Sequence, residues 1–228
     1  MKAEFDEFAQ DYRDIQNQEL SLTGENSFYY AHLKAKKLHE WLPFYFHGTP
    51  KNILDFGCGD GVMTEEVRKF FPHTKIYGTD PSSESIDVAQ KQYPLINFKV
   101  SDTHVPYFKN QEFDVIVCAG AFHHIPFKEH AHYITELTRI LSPKGCLILF
   151  ELNPLNPGTA YLFKDHPMEK NATMLKPWYT KNLVSSFGKT STMFYCFFPH
   201  FLRFLRPLEP YITKIPLGGL YATILKKS

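Results

Sequence analysis

The stretch that most constrains the fold is ILDFGCGDG at residues 53–61, in which an apolar run is followed by three glycines at alternate positions. Glycine costs conformational entropy, and it is useful where the backbone needs a positive φ or where another group approaches closely. We therefore expect a buried strand over residues 52–56, a tight glycine-rich loop after it, and a ligand that lies against the backbone of that loop.

Beyond this loop, apolar runs alternate with helical patterns, which is typical of right-handed βαβ units and an open parallel sheet. No crossover helix separates the last two runs, so we expect an antiparallel hairpin there. The predicted fold is α/β: a doubly wound, mostly parallel seven-stranded sheet with an antiparallel edge hairpin and helices on both faces. The predicted strands are residues 52–56, 75–80, 96–100, 113–120, 145–152, 189–198 and 219–227. The predicted helices between them are residues 62–71, 82–93, 128–141 and 178–188.

The N-terminal region is predicted to be helical. Residues 5–12 place their aromatic side chains on one helical face, and a second helical pattern runs over residues 28–42 and stops at Pro43. We therefore divide the chain into an N-terminal helical lid region, residues 1–47, and an α/β domain, residues 48–228.

Two segments of the α/β domain show little periodicity. They are residues 153–177 and residues 199–216, and both contain prolines. We expect the first to be an irregular excursion and the second a proline-interrupted connection. Both are predicted to be insertions on the substrate side of the domain.

Composition excludes several functional classes. The chain has 25 basic and 24 acidic residues, so it lacks the positive field that DNA binding needs. Its four cysteines are scattered without CxxC pairs, which favours a reducing compartment over a disulfide framework or a zinc site. The acidic N-terminus lacks the apolar core of a signal peptide, and no apolar run is long enough to cross a bilayer. We expect a soluble, cytoplasmic protein that does not bind DNA.

Three ligand classes compete for the glycine-rich loop. A Walker A loop needs Gly-Lys-Ser/Thr at the start of the following helix, where this chain has Gly61, Val62 and Met63. A dinucleotide fingerprint, GxGxxG, needs a glycine at the position of Val62. Asp55 lies two residues before the first glycine, and its carboxylate would repel a pyrophosphate but would suit an ammonium or sulfonium group. The loop therefore favours S-adenosylmethionine.

The segment ILDFGCGDG resembles motif I of the class I S-adenosylmethionine-dependent methyltransferases, and the resemblance continues in order over about residues 50–152. It includes IYGTD, which ends in Asp80, and SDTHVP, which contains Asp102. FDVIVCAGAFHHI resembles the fourth-strand motif of the family, and LSPKGCLILFE resembles the start of its fifth strand. Five weak pieces in the right order together imply this fold and a methyltransferase activity.

The resemblance implies that S-adenosylmethionine binds at the carboxyl ends of the strands and leaves as S-adenosylhomocysteine. An acid at the position of Asp80 accepts hydrogen bonds from the ribose hydroxyls, although Asp80 could also cap the following helix. The family commonly places an acid such as Asp102 against the adenine amino group, and its N-terminal helix often covers the cofactor. The residues expected at the cofactor are Tyr12 (as a lid residue), Asp55, Gly57, Cys58, Gly59, Gly61, Asp80, Pro81, Asp102, Thr103 and Ala119.

Methyl transfer from a sulfonium is an in-line displacement with a good leaving group, so the protein mainly supplies proximity, orientation and exclusion of water. A general base is needed only if the attacking atom carries a proton. The candidate catalytic residues are His123 and His124 after the fourth strand and Glu151 at the end of the fifth. If the backbone after the fourth strand is extended, one of the two histidines must pack under the next helix.

Adjacent histidines also raise the question of a metal site. His130 and His132 lie nearby in the sequence, but they fall on different faces of a helix, and no carboxylate lies at ligand spacing. The sequence therefore predicts no metal.

The acceptor is predicted to be a small molecule, either a metabolite or a lipid or saccharide intermediate, and the sequence leaves the accepting atom open. A tRNA modified-base methyltransferase and a non-catalytic regulatory protein that binds the cofactor remain alternatives. Six aromatic residues lie within residues 194–205. They are consistent with core packing, with an apolar acceptor pocket, or with a contact to a partner or to a second copy of the chain.

Overall fold

The computed structural model describes residues 11–101, 108–164 and 166–228, without the side chains of Tyr12 and Leu22. Its strands are β1 Asn52–Phe56, β2 Lys75–Asp80, β3 Asn97–Val100, β4 Phe113–Ala119, β5 Leu141–Leu152, β6 Gly188–Tyr195 and β7 Leu220–Lys227. They form one sheet in the order β3-β2-β1-β4-β5-β7-β6. Strands β1 to β5 pair in parallel, whereas β7 is antiparallel to both β5 and β6. The predicted sheet and its antiparallel edge hairpin are confirmed.

Helices cover both faces of this sheet. The α-helices are α1 Tyr12–Leu20, α2 Ser27–Tyr45, α3 Val62–Phe70, α4 Ser83–Gln92, α5 His130–Ile140, α6 Pro157–Lys164, α7 Pro177–Val184 and α8 Glu209–Ile212. Buried side chains of α2, α3 and α4 belong to one core cluster, and those of α5 and α7 belong to another. A fully buried leucine or isoleucine contributes about 1.5–3 kcal/mol relative to an exposed one, so each face has its own source of stability.

The second helix is longer than its sequence pattern predicts. α2 continues through Pro43 to Tyr45. Proline removes one backbone hydrogen bond, but the last turn still closes, because the amide of Phe46 donates to the carbonyl of Leu42 at 2.8 Å. The prediction that this helix stops at Pro43 is therefore wrong. Most of the predicted helix at residues 5–12 lies outside the described residues.

The segment 153–177 is not irregular throughout, contrary to prediction. It contains α6 and a 3-10 turn at Pro167–Glu169. The side chain of Asn156 starts α6 by accepting a hydrogen bond from the amide of Thr159 at 3.0 Å. Pro157 follows at the first helical position, where its fixed φ suits a helix. Proline is here a start signal and not a sign of irregular chain.

The parallel strands place their carboxyl ends at one edge of the sheet, where ligands bind in open α/β folds. β4 and β5 are neighbours there, with Ala119 opposite Phe150. The residues that follow these two strands are therefore brought close together. Among the described residues, no helix combines the length and the apolar composition needed to cross a membrane.

Candidate active site

The glycine-rich loop leaves β1 in a conformation that most residues rarely adopt. Gly57 and Gly59 have φ values of +75° and +53°. A Cβ on Gly57 would lie 2.4 Å from the Cβ of Ala121, so this glycine also makes room for the chain that follows β4. No atom of the described residues lies within 4 Å of a Cβ placed on Gly59, which therefore borders open space in that part of the chain. The loop therefore has exposed backbone at Gly59, and the ligand that its sequence predicts there stays a prediction.

Gly61 has a different role from the other two glycines. Its φ is +80°, and a Cβ there would lie 2.8 Å from the ring of Phe98 and 3.0 Å from the Cβ of Ala89. It is not among the residues that line the cavity described below. Gly61 therefore allows the start of α3 to pack closely against the sheet and α4, which differs from the cofactor contact that we expect from the sequence.

Asp80 holds the loop in place from the end of β2. One oxygen of its carboxylate accepts a hydrogen bond from the amide of Gly59, and the other accepts one from the amide of Ser82, both at 2.9 Å. Each carboxylate oxygen has a second lone pair, so Asp80 can still accept a hydrogen bond from a ligand. Asp80 can therefore anchor the loop and the following helix and also accept hydrogen bonds from a ribose.

Asp55 is a buried acid below the loop. Its carboxylate accepts a hydrogen bond from the hydroxyl of Thr64 at 2.7 Å. Burial raises its pKa to about 6, although the bond from Thr64 and the charge of Lys34 act in the opposite direction. A cationic ligand group nearby would favour the charged carboxylate further.

One cavity of about 1010 Å³ joins the loop to the residues that follow β4. Ligand sites usually have volumes of about 300–1,000 Å³, so this cavity has room for a cofactor and a second molecule. The predicted residues that line it are Asp55, Gly57, Cys58, Gly59, Asp80, Pro81, Ala119, His123 and His124. Cys58 also belongs to the core cluster on the α2 face, so it borders both the core and the cavity.

His123 and Glu151 form a buried pair at the far end of the cavity. The Nδ1 nitrogen of His123 donates to the carboxylate of Glu151 at 2.5 Å, and the two side chains are 2% and 0% exposed. The backbone at 122–124 forms a 3-10 turn instead of an extended chain. Both histidine rings can therefore face the cavity, with centroids 4.4 Å apart, and neither has to pack under α5.

A third acidic residue, which sequence analysis missed, joins the two histidines. The carboxylate of Glu169 lies 3.2 Å from Nε2 of His123 and 3.5 Å from Nε2 of His124. Glu169 ends the 3-10 turn that follows α6, and no motif or spacing pointed to it. A carboxylate therefore does accompany the histidine pair, and the expectation that none lies at ligand spacing is wrong.

The two carboxylates change the proton affinity of His123. Burial alone would lower its pKa, but the charges of Glu151 and Glu169 outweigh burial and raise the pKa to about 10. Burial would raise the pKa of Glu169, yet the two histidines hold it below its ordinary value. His123 is thus a strong base that keeps its proton at neutral pH in the absence of a ligand.

Comparisons with known proteins agree with this geometry. Residues 53–145 match the family described as methyltransferase domain. The chain is 34% identical over 160 residues to the demethylmenaquinone methyltransferase of Chlorobaculum parvum, covering 70% of this chain and 63% of the relative. It is 32% identical over 108 residues to a ubiquinone biosynthesis O-methyltransferase of Coxiella burnetii, covering 45% and 44%. The chain thus spans less than two thirds of the length of either relative.

A solved structure has the same fold. The plantazolicin methyltransferase BpumL, in complex with S-adenosylhomocysteine, matches with a TM-score of 0.67 at 22% identity, covering 96% of this chain and 91% of the other. The sequence matches and the glycine loop at the switch point of the sheet agree with one another. The chain has the fold of the class I S-adenosylmethionine-dependent methyltransferases, and its residues 53–145 match a methyltransferase domain.

Lys34 is a second residue of this candidate site that sequence analysis missed. It lines the cavity from α2, and its Nζ lies 3.6 Å from where a Cβ on Gly120 would be. Burial lowers its pKa, although Glu151 acts in the opposite direction. Its ammonium forms no hydrogen bond or ion pair with the described residues. The signal was available, because Lys34 shares a helical face with the buried Ala31 and Leu38.

The N-terminal region reaches the cofactor loop through α1. The guanidinium of Arg13 forms two hydrogen bonds with the carboxylate of Asp60, which lies between the second and third loop glycines. Side chains of α1 and α2 also line the cavity. Asp102 and Thr103 lie outside the described residues, as does the side chain of Tyr12, so their roles stay predictions.

Five of the six aromatic residues of 194–205 fall into three groups. Phe194 and Tyr195 are buried in β6, whereas Phe197 lines the cavity. Phe201 and Phe204 lie on a 3-10 helix and are 76% and 70% exposed. Core packing and a cavity wall thus each account for some of the aromatics, and a partner contact stays a prediction for the exposed pair.

Proposed function

We propose that this protein transfers the methyl group of S-adenosylmethionine to a hydroxyl oxygen of a small, partly apolar aromatic molecule. The observation that carries the proposal is the single cavity that joins the glycine loop to the His123–Glu151 pair. One end provides backbone and acids for a nucleoside, and the other provides a base for an acceptor.

The cofactor end has partners for the ribose and for both charged groups of the methionine moiety of S-adenosylmethionine. Asp80 accepts hydrogen bonds from the ribose hydroxyls, and the exposed backbone at Gly59 lies against the nucleoside. Asp55 favours the positive charge of the ammonium group. Lys34, which has no charged partner among the described residues, pairs with the carboxylate of the methionine moiety.

The reaction at the acceptor end is an in-line displacement. The acceptor oxygen attacks the methyl carbon, the carbon–sulfur bond breaks, and S-adenosylhomocysteine leaves as a neutral thioether. The hydroxyl proton passes to the neutral imidazole of His124, or to His123 after that ring has lost its own proton, and this imidazole acts as general base. Glu151 is a positioning residue, because it holds the ring of His123 and stabilises the imidazolium without reaching the acceptor.

The walls of the acceptor end support an aromatic acceptor. Leu162, Phe163 and Met168 line the cavity beside the histidines, and Phe197 lines it from the sheet edge. Apolar walls with a few convergent polar groups are typical of sites for small organic molecules. The names of the two relatives above both refer to quinones, which agrees with a ring-shaped acceptor, and the name of the Coxiella burnetii relative, an O-methyltransferase, agrees with an oxygen as the accepting atom.

We further propose that α1 is a lid over the cofactor. The bidentate contact between Arg13 and Asp60 ties this helix to the glycine loop, so exchange of the product requires the contact to open. We retain the cytoplasm as the expected location, because all four cysteines are free thiols.

The test is a transfer assay with the purified chain and S-adenosylmethionine labelled in the methyl group. The enzyme is incubated with a metabolite extract, and the label is measured separately in organic-extractable small molecules, RNA and protein. Asp80→Ala serves as the variant with impaired cofactor binding, and Asp87→Ala, an exposed acid on the next helix, is its matched control.

We expect the label in organic-extractable molecules with the wild type and with Asp87→Ala, and much less of it with Asp80→Ala. Label in RNA would instead identify a nucleic-acid methyltransferase. No transfer to any fraction by a protein that binds S-adenosylhomocysteine would identify a non-catalytic binding protein. Either result would overturn the proposal.

A further inference from the structure

Three potential metal ligands meet at the acceptor end of the cavity. His123, His124 and Glu169 each offer one ligand atom, and these atoms all lie within 4.8 Å of one another. The three side chains are 2%, 13% and 14% exposed, so water competes little for them. They come from two separate segments, the turn after β4 and the turn after α6, which are 45 residues apart at His124 and Glu169.

The contacts between these atoms are those of ligands that share a cation. Nε2 of His123 lies 3.2 Å from Oε2 of Glu169, and Nε2 of His124 lies 3.5 Å from the same oxygen. Around tetrahedral zinc, with bonds of about 2.0–2.1 Å, neighbouring ligand atoms are about 3.3–3.4 Å apart. Both observed distances lie close to that value.

The buried atoms are also poorly satisfied by the protein itself. Nε2 of His123 and Oε2 of Glu169 are buried and lie 3.2 Å apart, but their geometry does not make a hydrogen bond, and no other described residue donates to or accepts from them. Buried polar atoms are nearly always paired, and an exception calls for an explanation such as an ion. A cation between them would satisfy both atoms at once.

The ring of His123 is held as a metal-ligating histidine usually is. Its Nδ1 donates to the carboxylate of Glu151 at 2.5 Å, which fixes the ring and directs Nε2 toward His124 and Glu169. Such a carboxylate–histidine arrangement commonly supports metal ligands and raises their basicity. Glu151 thus supports the ligand set from outside it.

We propose that His123, His124 and Glu169 bind a divalent transition-metal ion in the acceptor cavity. Two imidazoles and one carboxylate suit zinc, cobalt or iron better than magnesium or calcium, which prefer oxygen ligands. Three protein ligands leave a coordination position open toward the cavity. The inference rests on the proposed function only for the acceptor that occupies that position. The ion would hold the acceptor oxygen and promote loss of its proton to solvent, and it would thus replace the imidazole as the group that removes the proton.

The test is a titration of the chelator-treated full chain with Co²⁺, followed by the visible absorption of four- or five-coordinate cobalt and by competition with Zn²⁺. The variants are His124→Ala, Glu169→Gln and Glu151→Gln. His132→Asn, an exposed histidine on α5, is the matched control for surface binding. Affinity for S-adenosylhomocysteine, measured in the presence of chelator, shows that each variant is folded.

We expect one equivalent of Co²⁺ per chain in the wild type and in His132→Asn, displaced by Zn²⁺. His124→Ala and Glu169→Gln should lose this equivalent, and Glu151→Gln should bind it about 10–100-fold more weakly. Cobalt binding that is absent from the wild type, or equal in all variants, would overturn the inference. If S-adenosylhomocysteine still binds in that case, the proposed methyltransferase activity stands, with an imidazole as the base.

Discussion

The cofactor end and the acceptor end of the cavity are built in different ways. At the cofactor end, Gly59 follows β1 and Asp80 ends the adjacent parallel strand β2, and the hydrogen bond between them closes the loop. At the acceptor end, His123 follows β4 and Glu151 lies near the end of β5, but Glu169 comes from the turn after α6, within the insertion at residues 153–177. The first end is set by the topology of the sheet, and the second depends on a segment outside it.

This difference implies that the two ends can vary independently. The insertion can change shape, and with it the acceptor, without moving the loop that holds the cofactor. Substitutions at the acceptor end should therefore change turnover and leave cofactor affinity alone. Substitutions at the cofactor end should change cofactor affinity first.

The largest effect is expected at the acceptor end. Glu151→Gln should lower kcat by about two to four orders of magnitude, because His123 loses the carboxylate that positions its ring. The pKa of His123 should also fall, which moves the rising limb of the pH–rate profile to lower pH. Steady-state kinetics across pH, with the exposed Glu84→Gln as control, measure both changes. Unchanged kcat, or a matching loss of affinity for S-adenosylhomocysteine, would contradict the independence of the two ends.

The acceptor end should also determine how the free energy of unfolding changes as the pH rises above neutral. The pKa of His123, about 10 in the folded protein, lies above its ordinary value of about 6.5, so protonation stabilises the fold. This contribution is complete below about pH 6.5 and is lost as the pH rises toward 10. The free energy of unfolding should fall by a few kcal/mol over that range.

Urea unfolding in the presence of a chelator measures this dependence. The slope should shrink in Glu151→Gln, because one of the two carboxylates that raise the pKa is gone. An equal slope in both proteins would show that another group titrates.

At the cofactor end, Asp80→Ala should weaken binding of S-adenosylhomocysteine by about 1.5–3 kcal/mol, the usual value for hydrogen bonds to a charged group. The substitution removes the ribose acceptor and also the carboxylate that holds the amide of Gly59. Titration calorimetry measures the loss, with Asp87→Ala as control. Full affinity in a folded Asp80→Ala variant would reduce Asp80 to an anchor of the loop and helix.

A smaller effect is expected from Lys34. Lys34→Gln should weaken cofactor binding by about tenfold, or about 1.4 kcal/mol, because the methionine carboxylate loses its charged partner. Lys36→Gln is the matched control, since Lys36 lies on the same helix with its side chain 53% exposed. If both variants bind S-adenosylhomocysteine equally well, Lys34 does not contact the cofactor.

The two ends also differ in how far the sequence predicts them. The strands, their order along the chain and the loop glycines can be recognised from short stretches of sequence. A buried parallel strand needs a continuous apolar run, and a backbone with positive φ favours glycine. The sequence therefore predicts the sheet, and it places Asp55, Gly57, Gly59 and Asp80 at one site. Gly61 shares the glycine pattern, but its space is taken by Phe98, which comes from a different strand.

The parts that the sequence does not predict depend on tertiary contacts. Glu169 meets the histidines only because α6 folds the insertion back over the cavity, and nothing near Glu169 in sequence indicates this. Lys34 is an intermediate case. The sequence shows that a lysine lies on the buried face of a helix, but it does not show which group the lysine binds. α2 likewise extends past Pro43 because its last turn closes through the hydrogen bond from the amide of Phe46 to the carbonyl of Leu42, although proline has a low helix propensity.

The central claim is that the glycine loop holds S-adenosylmethionine, and calorimetric titration of the wild-type chain with S-adenosylhomocysteine tests it most directly. We expect one equivalent to bind in the low micromolar range, at roughly −7 to −8 kcal/mol. NAD, which needs a glycine where this chain has Val62, should not bind. Binding of NAD without any binding of the adenosyl ligand would contradict the account.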